Sequence, residues 1–470
     1  MESIWKQDID IPGRPSFEGH KSVQAAVIGA GLAGILTAYF LQQAGVEVVV
    51  LEAKRIGSGQ TGNTTAKITS QHGLCYERLI RTIGRQNARA YAMANEDAIR
   101  SYEKVIGKER IACRFEHLPS YLYTTKDTNT GVLGREAKAA VSLGIAAQYV
   151  EGRHLLELPF QAAGAVRFDG QAQFHPLEFL RCLADKLEVY ENSEVLSVNG
   201  HMISTEKGTL HAEHIIFATH YPFTNVPGFY FLRMHQERSY VLGLSGADKL
   251  SGMYISMDDG GLSLRSAEDV LLLGGGNHRT GKRISDDLLL RVEEAGRDRS
   301  VSMVKGGVGY SYLRMQARRY YPGTEIIAQW SAQDCMPHDG IPFIGRYSKL
   351  RPYWYVVTGF KKWGMTSSMV AARIISDAVL DRENPYERVF GPQRFFFRAS
   401  VGKLLMDIGE SAVGLTKGLF APKGMRCPHM GCRLVWNPVE ESWDCPCHGS
   451  RFAEDGKLLD DPAQIDLKRG

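Results

Sequence analysis

The first strong pattern along the chain is an apolar run, Ala25–Ala30. A segment of helical period follows, Gly31–Gly45, and then a second apolar run rich in valine, Val46–Ala53. Runs without polar alternation suit strands buried on both faces, and Gly45 is a helix stop. The predicted order is therefore strand, glycine turn, helix, strand. Gly57–Gly73 is rich in glycine, serine and threonine, lacks a packing pattern and reads as a long functional loop. Helical periodicity returns over Leu79–Gly107 and again over Val132–Leu143. Glu188–Thr219 alternates and ends in a strand running into a turn.

Between about Phe223 and Gln329 the pattern predicts strands at Gly252–Asp259, Leu262–Ala267 and Val270–Gly276, with one amphipathic helix from Ser285 to about Lys305. A turn-rich segment, Cys335–Arg346, precedes a strand at Trp354–Phe360 and a helix at Gly364–Leu380. Asn384–Arg398 holds two prolines and reads as an interdomain linker, and the remaining residues predict short strands. No internal repeat is visible.

A length of 470 residues suggests two to four domains, and 44% hydrophobic with 23% charged residues is ordinary for a globular chain. The net charge of +4 gives no electrostatic argument for nucleic acid or an anionic membrane. No apolar stretch approaches the roughly 18 residues of a membrane span, and the N-terminus lacks the apolar core of a secretory signal. A cytoplasmic protein without nucleic-acid or membrane partners is expected. Of eight cysteines, Cys427, Cys432, Cys445 and Cys447 crowd into 21 residues, which in that compartment favours a metal over a disulfide framework.

Gly29-x-Gly31-x-x-Gly34 lies between the first predicted strand and helix, and Glu52 closes the second strand 23 residues after Gly29. Gly29 permits the tight turn, Gly31 a close approach to a pyrophosphate, and Gly34 close helix–strand packing. The helix N-terminus attracts phosphate, and an acid at Glu52 can accept hydrogen bonds from ribose hydroxyls. The motif alone does not separate FAD from NAD.

Together with the loop after Glu52, the strand ending at Ala218-Thr219, and the segments HDGIPFIG and VVTGFKKWGMTSS, this motif resembles the D-amino-acid oxidase and glycine oxidase family of flavoproteins. The resemblance spans about residues 20 to 385 and implies FAD. It places Gly62, Asn63, Thr64, Thr65, Ala66 and Lys67 against the flavin, Val195 beside the adenine, and Gly359, Gly364, Met365 and Thr366 over the ring. It also implies a discontinuous fold, with an FAD-binding domain from about 20–80, 170–222 and 330–385 and a substrate domain from about 81–169 and 223–329. Where amino-acid-oxidising members carry a carboxylate-binding arginine, five residues before the aspartate matched by Asp339, this chain has Asp334. A carboxylate there repels a substrate carboxylate and attracts an ammonium group, or else another arginine, such as Arg265, holds the carboxylate. Cys335 stands at the wrong spacing for the cysteine that binds flavin covalently in sarcosine oxidases, so noncovalent FAD is expected. Lys67, Asp334, His338 and Lys362 are the catalytic candidates.

At the C-terminal end, Cys427-x-His429 and Cys445-x-x-His448 offer two thiolates and two imidazoles on two loops. Zinc can take such a set, and so can a binuclear iron cluster with one Cys and one His supplied by each loop. CPHMGC and CPCHGSRF resemble the Rieske family, over about Gly409 to Leu467. The resemblance implies a [2Fe–2S] cluster on Cys427, His429, Cys445 and His448. It further implies a disulfide between Cys432 and Cys447, and a hydrogen bond from Ser450 to a cluster sulfur. The connection from Gly409–Val413 to Cys427 is shorter than the family's, which predicts a reduced supporting sheet.

The expected fold class is α/β, a Rossmann-like FAD-binding domain with an interleaved α+β substrate domain (1–385), then a linker (386–398) and a small all-β Rieske domain (399–470). The expected activity is oxidation of a C–N bond in a small amine or amino acid. Electrons would pass from the flavin to the tethered cluster and on to an unidentified acceptor. Two alternatives are a flavin/Rieske reductase component serving a partner protein and a non-catalytic redox sensor. A second complete GxGxxG unit for NAD(P)H is not visible.

Overall fold

The computed structural model describes residues 2–282, 307–394, 396, 399, 425–438 and 440–467. The predicted helix Ser285–Lys305 falls wholly outside them, and the short connection before Cys427 largely so.

The apolar runs form the centre of an eight-stranded sheet. Gly19–Ile28 pairs in parallel with Val48–Leu51 on one side and Gly208–Phe217 on the other, and Arg351–Thr358 extends the sheet beyond the latter. Ala25, Ala26, Val27 and the three central valines are fully or almost fully buried, as expected of a sheet covered on both faces. The first strand begins six residues earlier than its apolar run, because Gly19–Val23 pairs with Gly208–Ala212 despite polar side chains. Leu32–Gln43 and Gly364–Val379 pack together on this sheet. The segment read as one long helix from Leu79 breaks into Tyr76–Ile83 and Arg85–Glu109, because Gly84 adopts φ +82°, a conformation that no helix continues through.

A second eight-stranded sheet builds the substrate side. Its order begins Glu325–Pro337, Met234–Ser245, Val270–Arg279, Ser263–Ala267, Met253–Ser256. The first two strands are long and antiparallel, and Val270–Arg279 carries a β-bulge at Gly276–Asn277, opposite Arg238–Tyr240. The C-terminal module is an antiparallel meander, Val435–Asn437, Ser442–Asp444, Arg451–Ala453 and Leu458–Asp460, closed over a small core that includes Leu434 and Phe452.

The described part of the stretch read as a linker packs against the flavin-binding half through Arg394. Val389 and Phe390 are buried in the main core, and the Arg394 guanidinium grips both oxygens of Asp339, at 2.8 and 3.1 Å, with both side chains buried. Burial alone would raise the Asp339 pKa, but the charge and hydrogen bonds of Arg394 outweigh it and hold the carboxyl below its usual range. Replacing Arg394 by Met strands that carboxylate and is expected to cost about 3–5 kcal/mol in urea unfolding of the flavin-binding half. A loss below about 0.5 kcal/mol, the range of ordinary surface changes, would return this segment to the status of a linker.

Candidate active site and metal centre

The glycine turn has the geometry a dinucleotide requires. Gly29 sits at φ +108°, and a Cβ there would stand 2.5 Å from the Ala218 carbonyl oxygen. At Gly34 a Cβ would lie 1.9 Å from the Gly29 oxygen, so helix and turn touch backbone to backbone. The Glu52 carboxylate accepts from the Ala30 and Lys54 N–H groups at 2.7 and 2.8 Å, which braces the turn against the second strand. Burial raises its pKa and these N–H groups partly offset that.

The loop after Glu52 is held by an unusual set of donors. Five successive carbonyls, Gly62 to Ala66, each accept a side-chain hydrogen bond. Ser3 donates to Gly62, Trp330 to Asn63 at 2.9 Å, Trp5 to Thr64 at 2.7 Å, and Arg265 to Thr65 and Ala66 at 2.7 and 2.8 Å. Ala66 is left-handed at φ +54°. Arg265 thus anchors the loop, is fully buried and does not line the cavity, so it is not the alternative carboxylate-binding arginine. The roles of Ser3 and Trp5 were invisible in a segment without periodicity.

Turn and loop bound a cavity of about 950 Å³. Of the sequence-selected residues, Gly29, Gly31, Glu52, Asn63, Thr64, Thr65, Lys67, Val195, Asp334, Gly359, Lys362, Gly364 and Met365 line it. Gly34, Gly62, Ala66, Thr366 and His338 do not. Gly62 is enclosed by Lys6 and the Gly57 carbonyl, and the Thr366 hydroxyl meets Thr69 and His72. His338 is a correction: it does not line the cavity, because its imidazole Nε2 meets the Leu232 carbonyl at 3.1 Å. Cys335 lies behind the wall against His220 and Gln236, away from any flavin in the cavity.

Two charged groups that face the cavity, Lys67 and Asp334, are strongly perturbed. Lys67 Nζ donates to Ser263 Oγ at 2.8 Å and Thr65 Oγ1 at 3.1 Å, and burial, with the charge of Arg265, lowers its pKa to about 7. Burial raises Asp334 to about 6, opposed by the nearby Lys362 and reinforced by Glu237. Glu237 and Lys362 form an ion pair at 2.8 Å, and for Glu237 that charge overcomes burial and drives its pKa far down. Lys361 and Lys362 both have left-handed backbones, φ +51° and +69°, a strain of the kind found at functional sites.

At the C-terminal module the structure gathers Cys427, His429, Cys445 and His448. The two histidine rings stand 5.0 Å apart at 87°, and the thiols of Cys427 and Cys445 share a proton, which lowers the first and raises the second. His429 Nδ1 is buried with no hydrogen-bond partner, as an iron-ligating nitrogen would be once the metal is removed. Cys432 and Cys447 form a disulfide, and the Sγ atoms of Cys432, Cys445 and Cys447 lie within 4.8 Å of one another. Ser450 lies beside Cys427 and accepts from Ala463 N–H at 3.0 Å. The residues fit a [2Fe–2S] cluster held by two thiolates and two imidazoles.

The metal centre is docked on the flavin side. Gln236 Nε2 donates to the His448 carbonyl at 2.9 Å and the Asp461 carbonyl at 2.8 Å, Gln333 Nε2 to Gly449 at 2.9 Å, and Arg279 to Cys447 at 3.0 Å. Phe231 packs edge-on against both histidine rings at 5.8 and 5.7 Å. Buried Arg238 pairs with Glu440 and lies 3.8 Å from Asp460, and Arg451 binds Glu440, Asp444 and Asp460 at 2.8 to 3.1 Å.

A family model of the FAD dependent oxidoreductases (DAO) matches residues 24–378, and one of the Rieske [2Fe-2S] domain matches 388–469. The chain is 32% identical to YhfW of Bacillus subtilis, described as a Rieske 2Fe-2S iron-sulfur protein, over all of this chain and 97% of that one. Over 42 residues, 9% of this chain and 24% of the relative, it is 50% identical to cytochrome b6-f complex iron-sulfur subunit 3 of Nostoc. Glycine oxidase from Geobacillus kaustophilus shares the fold with TM-score 0.64 at 17% identity, covering 80% of this chain and 99% of that one. L-amino acid deaminase from Proteus vulgaris does so with TM-score 0.62 at 17% identity, covering 82% and 100%. No helix among the described residues is long and apolar enough to cross a membrane. The chain belongs to the FAD dependent oxidoreductase family of D-amino-acid oxidase type, extended by a C-terminal Rieske domain, and its cofactors are FAD and a [2Fe–2S] cluster.

Proposed function

We propose that the protein oxidises the C–N bond of a small amine or amino acid and passes the electrons, within the same chain, from the flavin site to the Rieske cluster. The observation that carries this reading is Gln236. It lines the flavin cavity, and its amide hydrogen-bonds the backbone of the cluster ligand His448 at 2.9 Å, so one side chain separates the two cofactor sites. When bound, FAD supplies a two-electron acceptor for hydride and the cluster a one-electron acceptor.

The chain's own residues bind and position. Asp334 offers a carboxylate to a substrate ammonium group and can take its proton, in keeping with a pKa of about 6. Lys67, half neutral near pH 7 and fixed by Ser263 and Thr65, moves a proton within the cavity. Lys362 is held in its place by Glu237, and the helix N-terminus at Gly364 turns its positive end toward the cavity. The solved relatives titled glycine oxidase and L-amino acid deaminase support the substrate class.

Under anaerobic conditions, substrate-dependent bleaching of the flavin should become more efficient as pH rises through about 6, where Asp334 ionises. Asp334→Asn should flatten that limb and raise KM for amines. A limb that persists in Asp334→Asn would remove Asp334 from substrate binding. Lys67→Met should slow flavin reduction by about 10²–10⁴-fold, the usual worth of positioned proton transfer. Gln236→Leu should leave flavin reduction unchanged and slow the following reduction of the cluster by roughly tenfold or more, followed by its optical and paramagnetic signals. Equal slowing of both steps would contradict an electron route through this contact.

A further inference from the structure

The cavity that receives the dinucleotide is not built by the oxidoreductase module alone. The last strand of the Rieske module and the turn after it, from Lys457 to Asp466, supply part of its wall. Leu458 packs against the module's own core beside Leu467, and Leu459 is the extra residue at a register shift in the pairing with Arg451–Ala453 and lines the cavity. Leu459 is 37% exposed and Ile465, in the turn, is 56% exposed, and both line the cavity.

Electrostatics locates this wall along the dinucleotide path. The Asp461 carboxylate feels the charges of Lys54 and Glu194, which flank Glu52 and Val195 respectively. Glu52 closes the dinucleotide motif, so the Rieske segment faces the ribose and adenine end rather than the Lys67–Asp334 end. The segment is also held in position: Gln236 binds the Asp461 carbonyl at 2.8 Å, and Arg451 binds Asp460 at 2.8 Å.

We propose that the Rieske module completes the FAD site, with Leu459 and Ile465 covering the adenosine half of the cofactor opposite Val195. Anything that binds the docked arrangement better than the undocked one stabilises docking, and the linkage is reciprocal. FAD therefore fastens the cluster module to the oxidoreductase module, and the docked module slows FAD loss. Covering two otherwise wet aliphatic side chains with an apolar ring face supplies the hydrophobic part of that coupling.

The test uses the full-length chain with its cluster in place and its flavin removed. FAD is titrated back while flavin fluorescence is followed. The double variant Leu459→Ser/Ile465→Ser should raise the FAD dissociation constant roughly tenfold, equivalent to about 1.4 kcal/mol, with the optical and paramagnetic signals of the cluster retained. An unchanged dissociation constant with an intact cluster overturns the proposal. Should the variant lose its cluster, hydrogen exchange on the unaltered protein decides. Added FAD should slow exchange across residues 457–467, and unchanged exchange there overturns the proposal equally. Neither readout involves substrate, so failure here leaves the proposed amine oxidation standing, and failure of that reading leaves this one standing.

Discussion

Five consecutive carbonyls between Gly62 and Ala66 must be satisfied without a regular element, and the way this is done governs much of the molecule. A buried loop pays for each unpaired carbonyl, and a glycine- and threonine-rich segment has no ladder to use. The donors are fixed side chains from three distant places, the N-terminal turn with Ser3 and Trp5, the strand carrying Trp330, and the strand carrying Arg265. Because Arg265 and Trp330 belong to the substrate-side sheet, the loop joins the two halves of the oxidoreductase module. Arg265 is itself buried, and burial lowers its pKa to about 9, partly offset by Glu116, while its guanidinium donates directly to two carbonyl oxygens. Its charge also lowers the pKa of Lys67, so the element that rigidifies the loop is the same one that tunes the cavity lysine.

The docking of the Rieske module follows a different logic, that of mutually neutralised buried charge. Arg451 lies among Glu440, Asp444 and Asp460, and their charges more than overcome the burial that would otherwise lower its pKa. Arg238 extends this network across the boundary to the flavin side. Such a network confers little net stability over an apolar contact, since desolvation cancels much of the attraction. Its value lies in direction. Misplacing any member leaves a charge buried alone, so the network favours one orientation of the module over nearby alternatives.

Much of this was legible where a local pattern carries the physics. The first strand, helix and second strand could be read because apolar runs and a glycine turn encode themselves within 30 residues, and the four cluster ligands because each loop carries its pair within four. What escaped was non-local. Ser3 and Trp5 act on residues about 60 positions away, with no periodicity to betray them. The segment around Val389 and Arg394 has the prolines of a linker, and only the buried Asp339 explains why it is packed. His338 shares a motif with cavity residues, but its ring meets the Leu232 carbonyl, a partner 106 positions away. Arg265 was noticed as an arginine, and its true partners, two carbonyls, leave no trace in a sequence.

One strand, Met234–Ser245, connects the two levels. Its first half presents Gln236 and Arg238 to the Rieske module, two residues apart and hence on one face. Beyond Arg238, Ser239, Tyr240 and Val241 reach the cavity wall, where the facing strand Val270–Arg279 carries an extra residue at Gly276–Asn277. One rigid element therefore meets the cluster loops at one end and lines the cavity at the other, while its pairing with Glu325–Pro337 sets Glu237 opposite Asp334. The spacing between the flavin cavity and the cluster loops is then set by strand geometry. In this arrangement the tether between the modules need only deliver the Rieske domain to its seat, since the seat itself sets the orientation.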